Sequence, residues 1–299
     1  MLTRQASPTL AKTPLPQTTR SLASVSEQEL RQWVERLAVP RHFELDPEEN
    51  RSAALWIAAK LQGWGYQVEL QGTWWNVVGL PKGLSEPVTL VCGHYDSVGG
   101  CPGADDNASA IAAMLGCAQV SAAISPRPAV GFVSFNREED GMLGSQDFIQ
   151  WLTASTVKAK CAHVLEMVGY ASHAAGSQRL PPGLPVQVSD TGDFLALLAN
   201  RSSYRVLDAI LAQASTYLPA LPVIGLHVTP RLKKYFPALL RSDHAPFWRC
   251  RMPAIMWTDT SEFRNPFYHQ PGDKPHTLDY GFLRAVTQLL AACVLEGEH

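Results

Sequence analysis

The stretch VTLVCGHYDS, residues 88–97, is the clearest guide to the architecture of this chain. Its first five residues form a short apolar run that is typical of a strand buried on both faces. Gly93 then allows the chain to turn, and His94 and Asp96 follow directly. In open α/β sheets, ligands bind beyond the carboxyl ends of the strands. We therefore expect the functional site at this edge of a buried sheet.

Four further apolar runs repeat the pattern, at residues 74–80, 130–135, 162–167 and 253–257. Helical patterns lie between and around them, the clearest at 108–122, and such alternation indicates a sheet with helices on both faces. We predict a three-layer α/β/α fold around a mostly parallel, mixed central sheet. Further helices are predicted from Ser26, where Glu29 completes a capping box, from Asp46, and over residues 280–295.

The 299 residues are enough for one large domain, which we place at residues 25–299. Residues 1–24 contain no acid and many Ser, Thr, Pro and Gln, so we predict a disordered tail. Pro and Gly interrupt the pattern between 172 and 241, where we expect loops that overhang the crevice, apart from a helical segment at 204–217. The absence of an apolar signal region favours a cytoplasmic protein, with secretion as the alternative.

The charge balance restricts the class of partner. Lys plus Arg number 25 and Asp plus Glu number 27, so no broad field would attract nucleic acid or an anionic membrane. A small or peptide-sized substrate is expected, and the oligomeric state is not indicated. The six cysteines show no CxxC pair and are interpreted as buried free thiols, although Cys92 and Cys101 bracket the His94 loop and could be bridged in an oxidising compartment.

Side chains that could hold metal lie at or just beyond the strand ends. His94 is followed two residues later by Asp96, an acid placed to accept the second ring N–H of a metal-bound imidazole. Asp106 precedes a helix, where acids ordinarily act as caps, but near His94 its two oxygens could bridge two cations about 3.5–4 Å apart. The other candidates are Glu138, Glu139, Glu166 and His269, each of which alone has a structural explanation. Together they predict a metal site with one glutamate left as general base.

Six motifs in this order resemble metallopeptidase family twenty-eight, the co-catalytic zinc aminopeptidases: GHYDS, PGADDNAS, EEDGMLGS, LEMVGY, SDHAPFW and YHQPGD. The resemblance runs from His94 to the carboxyl end. It implies one zinc on His94 and Glu166, a second on Glu139 and His269, and Asp106 bridging both. Glu138 matches the family's general base.

Two departures from the family pattern stand out. Glu166 replaces an aspartate that is common in bacterial members, and Ala110 stands where a glycine is usual, which we expect to affect helix packing only. Tyr268 matches a tyrosine that polarises the scissile carbonyl in some relatives, with a packed aromatic as the alternative. Asp243 is either a helix cap or a residue that steadies the site.

The resulting hypothesis is an exopeptidase, most simply an aminopeptidase with two zinc ions, although cobalt or manganese would fit the same ligands. Arg264 keeps a carboxypeptidase open, because a cation is needed for a terminal carboxylate. Two further alternatives remain, a glutaminyl cyclase-like acyltransferase with one zinc and a receptor-like member that binds without catalysis.

Overall fold

The computed structural model describes residues 2–84 and 86–297, and these fold around one mixed sheet. In the described residues the sheet has nine strands in the order β1-β8-β7-β9-β6-β4-β5-β3-β2. Their bounds are β1 Thr3–Gln5, β2 Gln67–Gln71, β3 Asn76–Leu80, β4 Val88–His94, β5 Val130–Phe135, β6 Ala159–Glu166, β7 Leu195–Ala199, β8 Val223–His227 and β9 Ala254–Thr258.

The centre of the sheet is parallel. Strands β5, β4, β6 and β9 are neighbours that run in the same direction, while β2, β3 and β7 join the sheet through antiparallel pairings. His94 ends β4 opposite Phe135, the last residue of β5, and Glu166 ends β6 opposite Thr258. Because parallel strands end at one edge, the predicted site residues are delivered to the same side of the molecule.

Helices cover both faces, which confirms the three-layer fold. The main helices in the described residues are α1 Pro16–Ala23, α2 Glu27–Leu37, α3 Pro47–Gly63, α4 Ala110–Ala122, α5 Leu143–Ala154, α6 Tyr204–Tyr217, α7 Pro230–Tyr235, α8 His244–Arg249 and α9 Tyr280–Glu296. One core is built from α1, α2, α3, α4, α6 and α9, and the other, on the opposite face, from α5, α7 and α8. None of these helices is both long and apolar enough to span a bilayer.

Local capping signals held at one helix and failed at another. The Ser26 side chain accepts a hydrogen bond from the Glu29 amide, as the capping box predicts. Asp46 stands before α3 but its carboxylate accepts from the backbone amide of His42 instead, at 3.2 Å. The position of α3 is therefore right, while its predicted cap is not formed by Asp46.

The prediction of a disordered tail at residues 1–24 is wrong for the described residues 2–24. Strand β1 pairs antiparallel with β8, and α1 buries Leu22 in the core. A strand of three residues added to a sheet edge is stabilised by backbone hydrogen bonds, which need no apolar pattern. The side chains of β1 are largely exposed, so composition alone resembled a disordered segment.

The overhang predicted at 172–241 is also only partly right. It contains β7 and β8, two short strands of the central sheet. The β7 sequence, LALLA, is rich in residues that favour helices, and only its pairing with β9 and β8 makes it a strand. Residues 179–188 lie outside helices and strands, as expected for a loop over the crevice.

Candidate metal centre

The residues predicted to bind metal meet at the carboxyl edge of the central strands. His94 ends β4, Glu166 ends β6, and Glu139 lies in the turn after β5. Asp106 lies in an irregular turn at Ala104–Ser109, before α4, and its own backbone (φ −101°, ψ 85°) is not helical. His269 lies in the loop that follows β9. It is at least 130 residues away in sequence from His94, Asp106 and Glu139.

Asp106 lies between the two imidazoles. Its Oδ1 is 3.4 Å from Nε2 of His94, and its Oδ2 is 3.2 Å from Nε2 of His269. Each imidazole nitrogen also faces a second carboxylate, Glu166 at 3.4 Å from His94 and Glu139 at 3.3 Å from His269. The site therefore consists of two histidine–carboxylate pairs that share one aspartate.

These separations fit metal ligands better than they fit direct hydrogen bonds. Around a tetrahedral zinc ion with bonds of about 2.0–2.1 Å, neighbouring ligand atoms lie roughly 3.3 Å apart. Nε2 of His94, Oδ1 of Asp106 and Oε1 of Glu139 are buried and have no hydrogen-bond partner among the described residues. One ligand atom from each of these three residues lies within 4.8 Å of the others. Buried polar atoms of this kind need a partner, and a cation would supply it.

Asp96 connects the first histidine to the acidic turn. Its Oδ1 is 3.3 Å from Nδ1 of His94, so it can fix the ring tautomer with Nε2 free for metal. The same carboxylate accepts the backbone amides of Glu138, at 3.3 Å, and Glu139, at 3.2 Å. Asp96 is thus a positioning residue for three candidate site residues.

The clustered carboxylates shift the proton affinities of the histidines. Burial opposes protonation of His94, but Glu166, Asp106 and Asp96 raise its pKa well above the ordinary value. Burial likewise opposes protonation of His269, yet Asp106 and Glu139 raise its pKa to about 10. Both rings therefore hold a proton tightly when nothing else balances the acids, which is the property of a cation site.

The acids show the same imbalance. Burial, followed by the neighbouring Asp106 carboxylate, raises the pKa of Glu139 to about 7. Burial also raises the pKa of Glu138, with Glu166 and Glu139 adding to the rise against the opposing effect of His94. Asp106 is the exception, because His269 and His94 outweigh its burial and lower its pKa.

Three residues that sequence reasoning did not single out hold the Asp106 turn. Asp273 accepts the backbone amides of Asp105 at 2.9 Å and Asp106 at 3.1 Å. The Asn107 side chain makes two hydrogen bonds to the backbone on either side of Glu166: it donates to the carbonyl of Leu165 and accepts from the amide of Met167. Gly103 has a φ of +60°, and a Cβ there would lie 2.2 Å from the Asp106 carbonyl oxygen.

Arg41 is a fourth residue of this region that sequence reasoning did not single out, and it is fully buried. Its guanidinium donates to the carbonyls of Tyr95, Leu37, Pro102 and Gly103, and so ties α2 to the loop between His94 and Asp106. No motif marks Arg41, whereas Asp273 closes the YHQPGD motif and could have been found there.

Several alternatives considered for single residues are decided by these contacts. Neither Asp105 nor Asp106 caps a helix. The Asp105 carboxylate accepts hydrogen bonds from the backbone amide of Gly169 and from the side-chain amide of Asn265, which is itself buried. Asp243 precedes α8, but its buried side chain makes no capping hydrogen bond to that helix. Burial raises the pKa of Asp243 to about 7.

The contacts of Arg264 and Tyr268 bear on the two roles considered for them, binding of a terminal carboxylate and polarisation of the scissile carbonyl. Arg264 is buried and donates to Gln178 and to the carbonyls of Tyr170 and Phe194, so its guanidinium is committed to the fold. Tyr268 stacks on His269, with ring centroids 3.8 Å apart, and lines the cavity beside Glu166.

All six cysteines lie in the described residues, where no disulfide joins them, and five are buried, as predicted. Cys101 donates its thiol to the carbonyl of Gln270 rather than pairing with Cys92.

Comparison with known proteins agrees with this geometry. The model of Peptidase family M28 matches residues 76–294. The uncharacterized protein YfbL of Escherichia coli is 30% identical over 283 residues, which cover 89% of this chain and 86% of YfbL. The chain belongs to peptidase family M28. The M28 protein is a zinc metallopeptidase.

Other M28 relatives differ in length. Aminopeptidase YwaD of Bacillus subtilis is 26% identical over 74% of this chain, which spans only 44% of YwaD. Among solved structures, the LapA aminopeptidase of Legionella pneumophila has a TM-score of 0.75 at 18% identity, covering 96% of this chain and 78% of LapA. A glutaminyl cyclase of Bacteroides thetaiotaomicron shares the fold at a TM-score of 0.66 and 17% identity, covering 91% of this chain and 98% of the cyclase.

Proposed function

We propose that this M28 protein is an aminopeptidase that removes amino-terminal residues from peptides with two zinc ions. The position of Asp106 carries the proposal. Its two oxygens face two different imidazoles, at 3.4 Å and 3.2 Å, and each imidazole faces one further carboxylate. A carboxylate shared between two sets of ligands is the arrangement used by two-metal hydrolases.

The ligands divide into two sets. His94 and Glu166 would hold one ion, Glu139 and His269 the other, and Asp106 both. Zinc bound there would lower the pKa of a coordinated water toward neutrality and polarise the scissile carbonyl. Glu166 in place of the usual aspartate keeps the carboxylate within 3.4 Å of His94, so the longer side chain still reaches the site.

Glu138 is left to move protons. Its backbone amide is held by Asp96, and its carboxyl is not needed as a ligand. Its raised pKa favours accepting a proton from the attacking water and passing it to the leaving amine. The Tyr268 hydroxyl, whose pKa is raised by burial and by Asp106 and Glu166, stays neutral and can donate a hydrogen bond to the carbonyl oxygen.

The charge of the site favours an amino terminus over a carboxyl terminus. Five carboxylates surround two imidazoles: Asp96, Asp106, Glu138, Glu139 and Glu166. Two zinc ions would balance four of these charges and leave one net negative charge, which attracts a substrate ammonium and repels a carboxylate. Arg264, the residue that kept a carboxypeptidase open, is bound within the fold.

The test combines metal content with substrate choice. Zinc per chain is measured on the full-length protein, and rates are compared for leucine anilide, a carboxyl-blocked peptide, an amino-blocked peptide and a peptide with amino-terminal Gln. The proposal expects two zinc ions, cleavage of the first two substrates and no release of pyroglutamate. One zinc with pyroglutamate formation would establish the cyclase alternative instead, and zinc binding without turnover would favour the receptor-like one.

A further inference from the structure

A cavity of about 120 Å³, partly open to solvent, begins beside Glu166 and Tyr268 and extends along one face of the sheet. The strand register defines its floor. Glu166 is paired with Thr258, Thr258 with Ala196, and Ala196 with Ile224, and all four residues line the cavity. The cavity therefore crosses the strands at right angles, away from the candidate metal site.

A second row of the floor reaches the edge of the sheet. Met256 is paired with Leu198, Leu198 with Leu226, and Leu226 with Thr3 of β1. From β6, where Glu166 lies, to β1 there are four strand spacings. At about 4.8 Å each, they span roughly 19 Å. The amino-terminal strand forms the far end of the cavity.

The cavity changes character along its length. Polar groups, among them Thr258 and Tyr268, lie at the end next to Glu166. The four floor residues from β7 and β8 are all apolar, and the loop opposite them adds further apolar groups: Leu180, Pro181, Leu184, Val186 and Val188. Besides Glu166, three charged residues line the cavity, and their contacts are with one another: Arg241 forms an ion pair with Glu262, and Arg179 donates to the Glu262 carbonyl. Such a cavity suits a molecule with a polar reacting group and a long apolar tail.

The length exceeds what an amino-acid side chain can fill. An extended chain advances about 1.2 Å per bond, since a three-bond residue spans at most about 3.6 Å. Even a side chain of six bonds would therefore reach roughly 7 Å, short of the ~10 Å between Glu166 and Ala196 two strands away. An unbranched chain of about 16 carbons would reach β1.

We propose that this cavity binds a fatty-acyl chain, and that the protein also hydrolyses amides that join such a chain to an amino acid or a peptide. The proposal rests on the hydrolytic function proposed above and extends its substrates. One water is consumed: its oxygen bonds to the acyl carbon, the C–N bond breaks, and one proton passes through Glu138 to the leaving nitrogen. The products are a fatty carboxylate and a free amine.

The test is a chain-length series on the full-length, zinc-loaded protein. N-acyl-leucinamides from butanoyl to hexadecanoyl, whose carboxyl group is blocked, are compared by kcat/KM for release of leucinamide. Each methylene that enters the apolar cavity should raise kcat/KM about fourfold until the cavity is filled. Ala196→Phe should block the floor beyond about eight carbons, so that the rate for dodecanoyl relative to octanoyl falls about 200-fold, the effect of four methylenes.

Two further variants separate blocking from misfolding. Ala212→Phe places the same ring on α6, on the other side of the sheet, and should leave the chain-length profile unchanged. Ala196→Val fills less of the cavity and should lower the dodecanoyl-to-octanoyl ratio by less than Ala196→Phe does. The ratio is taken within each variant, so a loss of folded protein cancels.

A wild-type rate that is flat or falls beyond butanoyl would overturn the proposal, as would an Ala196→Phe profile equal to that of Ala212→Phe. Leucine anilide is assayed in parallel. If leucine anilide is cleaved but the rates of the acyl series do not depend on acyl length, the acyl site alone is refuted. If the zinc-loaded protein hydrolyses none of these substrates, the proposed function is refuted as well.

Discussion

Replacing Ser242 by alanine should weaken zinc binding without removing a candidate ligand. The Ser242 hydroxyl donates to Oε2 of Glu166 at 2.6 Å, and both residues are buried. Hydrogen bonds to charged groups contribute about 1.5–3 kcal/mol, and a factor of ten in affinity corresponds to about 1.4 kcal/mol. The dissociation constant for zinc should therefore rise by about 10- to 150-fold in the Ser242→Ala variant.

Proton affinity acts in the same direction. Burial raises the pKa of Glu166, and the bond from Ser242 is one of the interactions that restrain this rise. Without the hydroxyl the carboxyl holds its proton more tightly, and zinc must displace it. The measurement is a zinc titration against a competing chelator at neutral pH, with zinc content determined after dialysis.

Ser121→Ala is the matched control. Ser121 is as buried as Ser242, but it lies in α4 and its hydroxyl has no hydrogen-bond partner among the described residues. Its removal should leave zinc affinity unchanged. Equal zinc dissociation constants for the two serine variants would refute the view that Ser242 orients a metal ligand.

Three other outcomes are expected. Glu138→Gln should keep both zinc ions and lose about 100- to 10,000-fold in kcat, checked by metal analysis and steady-state rates; near-normal turnover would exclude Glu138 as the base. In the metal-free protein the pKa of His269 is about 10, so its contribution to the free energy of unfolding is complete below about pH 6.5 and lost as pH rises toward 10. Urea titrations of the protein and of His269→Gln across this range should converge at the alkaline end, and a constant difference would contradict the shift. Arg41→Ala should lower the free energy of unfolding by about 3–5 kcal/mol, whereas the exposed Arg36→Ala should change it by less than about 0.5 kcal/mol; similar losses would contradict the structural role of Arg41.

Local signals predicted the centre of the molecule well. The run at 88–92 followed by Gly93 and His94 is a strand that ends at the site, and residues 130–135 match β5 at both ends. These strands are buried on both faces, so their sequence is continuously apolar and needs no knowledge of partners. The helix at 204–217 was likewise predictable from its own periodicity.

Elements that depend on partners were not predictable in this way. Strand β1 exists because β8 offers an unpaired edge, and β7 is a strand because β9 and β8 flank it. The restraint of the Asp106 turn by Asp273 joins residues 167 positions apart. In each case the stabilising contact comes from distant sequence, so no local pattern records it.

The amino-acid sequence alone determined which side chains could bind cations and that most of them lie at or beyond the end of an apolar strand, because these are properties of residue type and order. Only the tertiary structure decided that Asp106 faces both histidines, that Arg264 is committed to backbone carbonyls, and that an apolar cavity leads away from Glu166. Distances between side chains depend on how the strands pair and the loops pack, and the chain sets these through contacts that span its whole length.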